Sequence, residues 1–356
     1  MTHPLSPHIQ LHIDGPVARL RLNRADKRNA MDQAMWETLP RLVEQAVATP
    51  AVRLILLGSA TPGIFCAGAD IGEFARETAS PEWRARNQAG IRATQLALAR
   101  APLPVIALVD GDCVGGGCGL ALAADIRIAS PRARFGITPS KLGLVYPLHD
   151  TRLLVDLVGP GHAKRLLYTG RLIPAQEAQR IGLVEELADD VEAAGAAFAA
   201  ELLAGSPFTQ KSTRAVVQRI LEGTADDDAA SMALFDQAFT GPDFAEGVSA
   251  FLAKRKPASA VKNAVNRFLL QNGWTFEELY GRSTGRSTAA VAPASAPAKA
   301  TKAPRKTAGG KGSKVPPKYR NPENPKETWT GRGKQPRWLA AYVGQGRDVS
   351  EFLIKD

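Results

Sequence analysis

The stretch PVIALVDGDCVGGGCGLALAADIRIA at residues 104–129 decides the fold of this chain. Its first six residues form an apolar run, which predicts a buried strand. Three consecutive glycines follow within a few residues, and the small and apolar residues after them predict a helix. A strand that leads through a tight turn into a helix is the repeating unit of α/β domains.

The preceding residues continue this pattern. The alternating segment VARLRLN at 17–23 and the apolar run LILLG at 54–58 predict two more strands. Apolar residues at helical spacing cover 31–48 and 82–100, and Pro81 suits the first turn of the second helix. The sequence therefore predicts an α/β domain.

The chain changes character twice after this core. A mostly helical pattern extends from about residue 150 to 254, with breaks at Gly159-Pro160-Gly161, Gly205-Ser206-Pro207 and Gly241-Pro242. Residues 283–317 carry too little apolar surface to fold, which predicts a disordered basic linker. The predicted organisation is a large domain at 1–257, a helical connector at 258–282, the linker, and a small α+β domain at 318–356.

The positive charge lies in the C-terminal part. The chain has 45 Lys and Arg against 35 Asp and Glu, and residues 257–356 hold 18 of these bases but only 7 of the acids. Residues 1–256 are nearly neutral, with 27 bases and 28 acids. A basic tail indicates a polyanionic partner such as nucleic acid.

The sequence also bears on the compartment. The spacing of Cys66, Cys113 and Cys118 matches neither a zinc site nor a disulfide framework, so we expect reduced thiols and no metal. The N-terminal residues lack a secretion signal, and no segment approaches 18 uninterrupted apolar residues. We expect a cytoplasmic protein that does not contact membranes.

Two glycine-containing segments are candidates for a reactive centre, IFCAGADIGEF at 64–74 and DGDCVGGGCGLALAADIRIA at 110–129. Because glycine has no Cβ, a ligand can approach the backbone there. Exposed N–H groups at a helix start can then donate to an oxygen that gains negative charge. The alternative is that both segments are only tight strand-to-helix turns.

These segments and their surroundings closely resemble the enoyl-CoA hydratase/isomerase (crotonase) superfamily. The resemblance runs from about residue 17 to 257 and includes LNRADKRNAM (22–31), FCAGADI (65–71), ARFGITPSKLGL (133–144) and AEGVSAFLAKRKP (245–257). It implies a crotonase-type core of repeated ββα units with C-terminal helices, and homo-trimers or hexamers. It also implies a CoA thioester as substrate, without a further cofactor.

The resemblance assigns candidate site residues. The family's oxyanion hole, which stabilises an enolate, falls on the main-chain N–H groups of Ala69 and Gly116. The family's CoA contacts fall on these side chains and segments: Lys27, Arg28, Ala67, Asp70, Ile71 and the basic segment 254–256.

The sequence departs from the family at its acid-base residues. Hydratases of this family use two glutamates, and the corresponding positions here hold Gly119 and Pro139, which cannot transfer a proton. Candidates to replace them are Tyr146, His149 and Asp150, in the segment where family members place the second acid.

Tyr146 opens a second possibility. A tyrosine follows a similar run in methylmalonyl-CoA decarboxylases of the same superfamily, whose reaction needs an enolate-stabilising site but no carboxylate base. Those enzymes carry a histidine where this chain has Ala69. Decarboxylation is therefore an alternative to hydration or isomerisation.

Residues 318–356 resemble the DNA-binding domain of the histone-like nucleoid-structuring (H-NS) family, through KYRNP, TWTGRGKQPRWL and the final FLI. A compact core is predicted from Tyr319, Trp329, Trp338, Leu339, Phe352 and Ile354. In that family an Arg/Gln-Gly-Arg loop enters the minor groove of AT-rich DNA. The resemblance implies DNA contacts at Thr330, Arg332, Gly333 and Lys334.

Two functions of different classes follow. The chain is either a CoA-thioester enzyme that its tail associates with the nucleoid, or a nucleoid-associated regulator whose crotonase-type domain senses acyl-CoA or only oligomerises. The two glycine segments favour the enzyme, whereas Gly119 and Pro139 favour the regulator.

Overall fold

A computed structural model describes residues 5–258, 318–325, 327–330, 336–344 and 347–354. The linker predicted at 283–317 and nearly all of the connector predicted at 258–282 lie outside the described residues. The chain forms two compact units, one within residues 1–284 and the other within residues 285–356.

The strands of the first unit form two sheets. In chain order the strands are β1 (Ile9–Asp14), β2 (Val17–Leu22), β3 (Leu54–Ser59), β4 (Val105–Val109), β5 (Asp112–Val114), β6 (Ile126–Ala129), β7 (Arg134–Gly136), β8 (Ile173–Pro174) and β9 (Glu186–Leu187). The larger sheet has the order β1-β2-β3-β4-β6-β9, and the smaller has the order β5-β7-β8. In the larger sheet β1 and β2 are antiparallel, and all other neighbours are parallel.

Helices connect these strands and extend beyond them. They are α1 (Gln33–Ala48), α2 (Ile71–Glu77), α3 (Pro81–Ala99), α4 (Gly116–Leu122), α5 (Leu148–Thr169), α6 (Ala175–Arg180), α7 (Val191–Ala204), α8 (Pro207–Leu221), α9 (Ala229–Thr240) and α10 (Pro242–Leu252). Polar side chains cap several of the starts, as Asp32 does for α1 and Ser80 for α3. Gly159, with φ of 72°, kinks α5 at the first predicted break.

The central strands are buried on both faces. Alternate residues of β3 belong to different clusters: Ile55 and Leu57 pack on one side with Trp36 of α1, and Leu54 and Leu56 pack on the other. The second cluster includes residues of α7. The unbroken apolar runs of β3 and β4 are therefore those of central parallel strands.

The strands predicted at 17–23, 54–58 and 104–111 and the helices predicted at 31–48 and 82–100 are confirmed to within about two residues at most ends. The hairpin strand β1 was not predicted. Within the described residues, no helix is both long enough and apolar enough to cross a lipid bilayer.

The second unit has a small aromatic core. Its elements are β10 (Tyr319–Arg320), β11 (Thr328–Trp329), α11 (Arg337–Gly344) and a 3-10 helix (Val349–Phe352), with β10 antiparallel to β11. Leu339 and Phe352 are buried, as predicted. The Phe352 ring stacks on Tyr342 at a centroid distance of 5.1 Å, and Tyr342 was missed from the sequence.

The predicted DNA-contacting loop is described only at its start. Thr330 directly follows β11. Arg332, Gly333 and Lys334 lie outside the described residues, so their assigned contacts stay predictions.

Candidate functional site

The two glycine-containing segments lie side by side in the first unit. Cys66 lies in the loop between β3 and α2, and its main chain forms an isolated parallel β-bridge with that of Cys113 of β5. Both thiols are free. The Cys66 N–H donates to the Asp112 carbonyl at 2.9 Å, and the Val114 N–H donates to the Cys66 carbonyl at 3.0 Å. These hydrogen bonds hold the two glycine-containing segments side by side up to the starts of α2 and α4.

Two positions in these segments require glycine. Gly68 has φ of 103°, and a Cβ there would lie 2.9 Å from the Val114 carbonyl oxygen. Gly115 has φ of 52° and ψ of −114°, a combination that other residues rarely adopt. The residues that follow them, Ala69 and Gly116, are the two whose amides the sequence assigns to an oxyanion hole.

The structure places these two amides next to each other. A Cβ on Gly116 would lie 3.8 Å from the Ala69 nitrogen and 2.9 Å from the indole ring of Trp36. Within the described part of the chain, neither the Ala69 nor the Gly116 N–H donates a hydrogen bond. Gly116 is also the first residue of α4, where N–H groups have no partner inside the helix. Two neighbouring N–H groups thus have no acceptor within the described part of the chain.

Asp150 lies beside the position where the family has its first glutamate. It comes from the first turn of α5, and its side chain is only 3% exposed. A Cβ on Gly119 of α4 would lie 3.2 Å from Asp150 Oδ2 and 3.2 Å from the Tyr146 hydroxyl oxygen. A carboxyl group therefore reaches this place from a different element.

Burial controls the proton of Asp150. Removal of the carboxylate from water raises the pKa of Asp150 from the ordinary 3.8 to about 7. Its neighbour His149 has a lowered pKa, because burial and then Arg92 and Arg100 disfavour its charged form. The His149 Nδ1 lies 3.4 Å from Asp150 Oδ1. A neutral imidazole beside a carboxyl group that titrates near neutrality is suited to proton transfer.

Tyr146 has a bond that ties it to the loop. Its hydroxyl donates to the Gly115 carbonyl at 3.2 Å, just before the Gly116 amide. Burial first and then Asp150 raise the pKa of Tyr146. Tyr146 therefore stays neutral and holds the turn that orients that amide. The other glutamate position, Pro139, opens a short 3-10 helix and offers no titratable group.

The residues assigned to CoA contacts surround the same loops. The Ala67 N–H donates to the Arg28 carbonyl at 3.0 Å, which brings the two assigned segments together. The Arg28 guanidinium, mostly exposed, pairs with Asp112 at 2.6 Å, and Lys27 ends a short 3-10 helix (Ala25–Lys27).

Two further assigned residues, Asp70 and Ile71, stand at the start of α2. The Asp70 carboxylate accepts the Glu73 N–H and pairs with Arg24 at 2.9 Å, which places it within the loop structure. Ile71 is 53% exposed. Their roles toward CoA stay predictions.

The sequence did not single out Gln95 of α3 or Trp36 of α1, which also line this place. Neither lies in a motif, and each is brought there only by the packing of α1 and α3 against α4. Among the described residues, no group of three or more His, Cys, Asp or Glu side chains is arranged to hold a metal ion.

Family comparisons agree with both resemblances. The family model "Enoyl-CoA hydratase/isomerase" matches residues 12–260, and the model "H-NS histone C-terminal domain" matches residues 314–354. The first match covers more than two thirds of the chain, and the second covers nearly all of the small C-terminal domain predicted from the sequence.

Individual proteins give the same result. A mitochondrial methylglutaconyl-CoA hydratase from Mus musculus is 32% identical over 249 residues, which are 67% of this chain and 77% of the relative. A short-chain-enoyl-CoA hydratase from Clostridium acetobutylicum is 32% identical over 252 residues, 70% of this chain and 96% of the relative.

Solved structures confirm the fold of the first unit. An enoyl-CoA hydratase/isomerase family protein from Hyphomonas neptunium is 40% identical with a TM-score of 0.69, covering 71% of this chain and 97% of that chain. An enoyl-CoA hydratase/carnithine racemase from Magnetospirillum magneticum is 32% identical with a TM-score of 0.68, covering 72% and 96%.

The raised pKa of Asp150 makes stability depend on pH. A carboxyl group that holds its proton more tightly in the folded state contributes stability that is fully present below 3.8 and lost as the pH rises through about 7. We expect the free energy of unfolding to fall by on the order of 4 kcal/mol across this window, and Asp150→Asn to abolish that fall. Calorimetric unfolding of the first unit from pH 4 to 8 measures it.

Asp110→Asn is the matched control, with the opposite sign. The hydrogen bond from Arg132 holds the pKa of Asp110 below its usual range. Asp110 therefore contributes stability above its ordinary pKa and loses it as the pH falls, so its replacement should cost most at high pH. Equal pH dependence in the wild type and Asp150→Asn would contradict the assignment to Asp150.

Proposed function

Because this chain belongs to the enoyl-CoA hydratase/isomerase family, we propose that it is an acyl-CoA enzyme that works through an enolate, with Asp150 as acid-base group, and that its tail binds DNA. The observation that carries the enzymatic proposal is the position of Asp150. The buried carboxyl group of Asp150 comes from α5 and lies beside Gly119 of α4. The Gly116 amide is at the start of that same helix α4.

The proposed reaction is the addition of water to an enoyl thioester. The Ala69 and Gly116 N–H groups bind the thioester oxygen and stabilise the negative charge that it gains. As a water O–H bond breaks, its proton passes to Asp150, its oxygen bonds to the β-carbon, and the electron pair of the double bond moves toward the thioester oxygen. Asp150 then delivers the proton to the α-carbon, which restores the carbonyl.

A single carboxyl group limits the rate. Asp150 must act first as base and then as acid, whereas a two-glutamate site has both groups in place at once. Its pKa of about 7 leaves comparable amounts of both forms near neutral pH, which suits this double role. Decarboxylation of a malonyl-type thioester needs the same amides but no base. A malonyl-type thioester therefore belongs among the substrates tested.

Turnover of crotonyl-CoA tests the enzymatic proposal. We expect the wild-type chain to hydrate it at less than about 10 per second, the ordinary enzyme rate. Asp150→Asn should lower this rate by roughly 10²–10⁴-fold, because an amide cannot transfer the proton. Tyr146→Phe should have a smaller effect, because its hydroxyl only holds the Gly115 carbonyl. The assay follows loss of the enoyl thioester absorbance.

The remaining outcomes decide against this reaction. Release of CO₂ from a malonyl-type thioester, without hydration, would support the decarboxylase. A change of DNA affinity on addition of acyl-CoA, with no turnover of enoyl, dienoyl or malonyl-type esters, would support the regulator.

The DNA-binding proposal rests on charge and on the second family match. Residues 257–356 hold 18 bases against 7 acids, and residues 314–354 match the H-NS histone C-terminal domain. We propose that Arg332-Gly333-Lys334 enters the minor groove of AT-rich DNA, since cations are drawn to the negative potential of a narrow groove. Linker lysines add contacts to phosphates. The protein would then be cytoplasmic and associated with the nucleoid.

Titration with AT-rich and GC-rich duplexes tests this proposal. Arg332→Ala should weaken binding to AT-rich DNA by about 1–3 kcal/mol and reduce the preference over GC-rich DNA. Arg305→Ala, a linker control, should weaken both equally and reduce the salt slope by about 1. The same affinity of the wild type for both duplexes would refute groove recognition.

We also propose that the first unit associates with further copies of itself as a trimer or hexamer. The support is a set of exposed apolar side chains on α8, α9 and α10: Val217, Ile220, Met232, Phe235, Phe239, Phe251 and Leu252. Exposed apolar groups on this scale are typical of interfaces. The family resemblance implies that another copy of this chain covers these side chains.

Sedimentation velocity measures this association. We expect the wild type to sediment as three or six chains. The double substitution Phe235→Ser and Phe251→Ser should shift the mass toward single chains, because serine lacks the apolar surface that the phenylalanine rings would bury against another copy. A wild type that sediments as a single chain at micromolar concentration would exclude the assembly.

A further inference from the structure

Gln95 of α3 is a buried amide with no use in the fold. Its side chain is fully buried, and among the described residues neither its Nε2 nor its Oε1 has a hydrogen-bond partner. Buried amides are normally paired, because loss of water without a compensating hydrogen bond is unfavourable. An unpaired buried amide in a native fold therefore requires an explanation.

The position of Gln95 supplies one. A Cβ on Gly119 would overlap Gln95 Nε2, and the same Cβ would lie 3.2 Å from Asp150 Oδ2. The amide nitrogen and the carboxyl oxygen thus lie within 3.2 Å of one point. Glycine at position 119 leaves this space to Gln95, and a glutamate there would displace it.

Asp150 is unpaired on the side that faces Gln95. Its Oδ1 lies near His149, but within the described residues no hydrogen bond reaches its Oδ2. The other titratable group beside this carboxyl group is Tyr146, which donates to Gly115 and itself lies near the buried thiols of Cys113 and Cys118. The charged groups that act on His149 are Arg92 of α3, Arg100 directly after α3, and Arg152 of α5.

We propose that Gln95 is the positioning residue of Asp150. Its unpaired amide would reach Oδ2 by a small rotation of the side chain and would hydrogen-bond to it in both protonation states of Asp150. An amide carries a donor and an acceptor at the end of a broad terminal torsion. Nε2 donates to the carboxylate, and after rotation of the amide Oε1 accepts from the carboxylic acid. This role rests on the proposed acid-base function of Asp150.

The two bonds differ in strength, which makes the proposal measurable. A hydrogen bond to an ionised group is roughly twice as strong as one between neutral groups. Gln95 therefore favours the carboxylate form over the acid. Its removal should raise the proton affinity of Asp150, and should slow proton transfer without weakening the binding of the thioester.

The test replaces Gln95 with methionine, which keeps the length of the side chain but removes both hydrogen-bonding atoms. In the full chain we expect Gln95→Met to raise the apparent proton affinity of Asp150 about tenfold, or one pKa unit, read from unfolding between pH 5 and 9. In the Asp150→Asn background the same substitution should have no pH-dependent effect. With crotonyl-CoA, kcat should fall roughly 10–100-fold at unchanged KM.

Asn87→Leu is the matched control, because Asn87 is the other buried amide of α3 and donates to Gln33 Oε1 at 2.9 Å. It should lower stability equally at every pH. Gln95→Leu repeats the test if the methionine variant does not fold. A loss of stability that is independent of pH in both Gln95 variants would overturn the proposal.

The stability measurement separates this inference from the proposed function. A pH-dependent coupling between Gln95 and Asp150 in a chain without turnover would support the pairing and refute the acid-base role. Turnover that depends on Asp150 but not on Gln95, without the coupling, would refute the positioning role alone.

Discussion

The close approach of two backbone segments, 66–69 and 112–117, is the constraint on which the site depends. The main-chain β-bridge between Cys66 and Cys113 holds the two segments so close that a Cβ on Gly68 or Gly117 would press into the opposite backbone. Glycine is therefore required at both positions, and no side chain separates the two backbones there. The Ala69 and Gly116 amides, which are the two donors in the proposed mechanism, lie next to these glycines in the chain.

The same small residues explain why the acid-base group comes from elsewhere. With glycine at position 119, α4 contributes no carboxylate, and the space is filled by Gln95 from α3 and Asp150 from α5. Burial of Asp150 destabilises the folded chain whenever the group is ionised, since its pKa rises to about 7. A stability cost located at one residue beside two free amides is characteristic of a functional site.

The sequence predicted the parts that local pattern controls. Apolar runs and glycine turns gave the central strands and the two loops, and the position within a motif gave Ala69 and Gly116 as neighbours. The hairpin strand β1 was missed although its six residues alternate as those of β2 do. Gln95 was missed because it is one polar residue on a helix. Its proximity to Asp150 results only from the packing of α3, α4 and α5. No spacing along the chain carries that information.

The net charge of the chain lies in its C-terminal part. Residues 1–256 are nearly neutral, so their net charge neither attracts DNA nor strongly repels an anionic CoA ester. The excess of 11 positive charges in residues 257–356 accounts for the whole net charge, and the attraction to a polyanion therefore acts on the tail. Because such attraction does not depend on sequence, the proposed DNA binding by the tail would concentrate the chain on DNA without any contact from the proposed active site. Tethering of this kind would require no change in the geometry around Asp150.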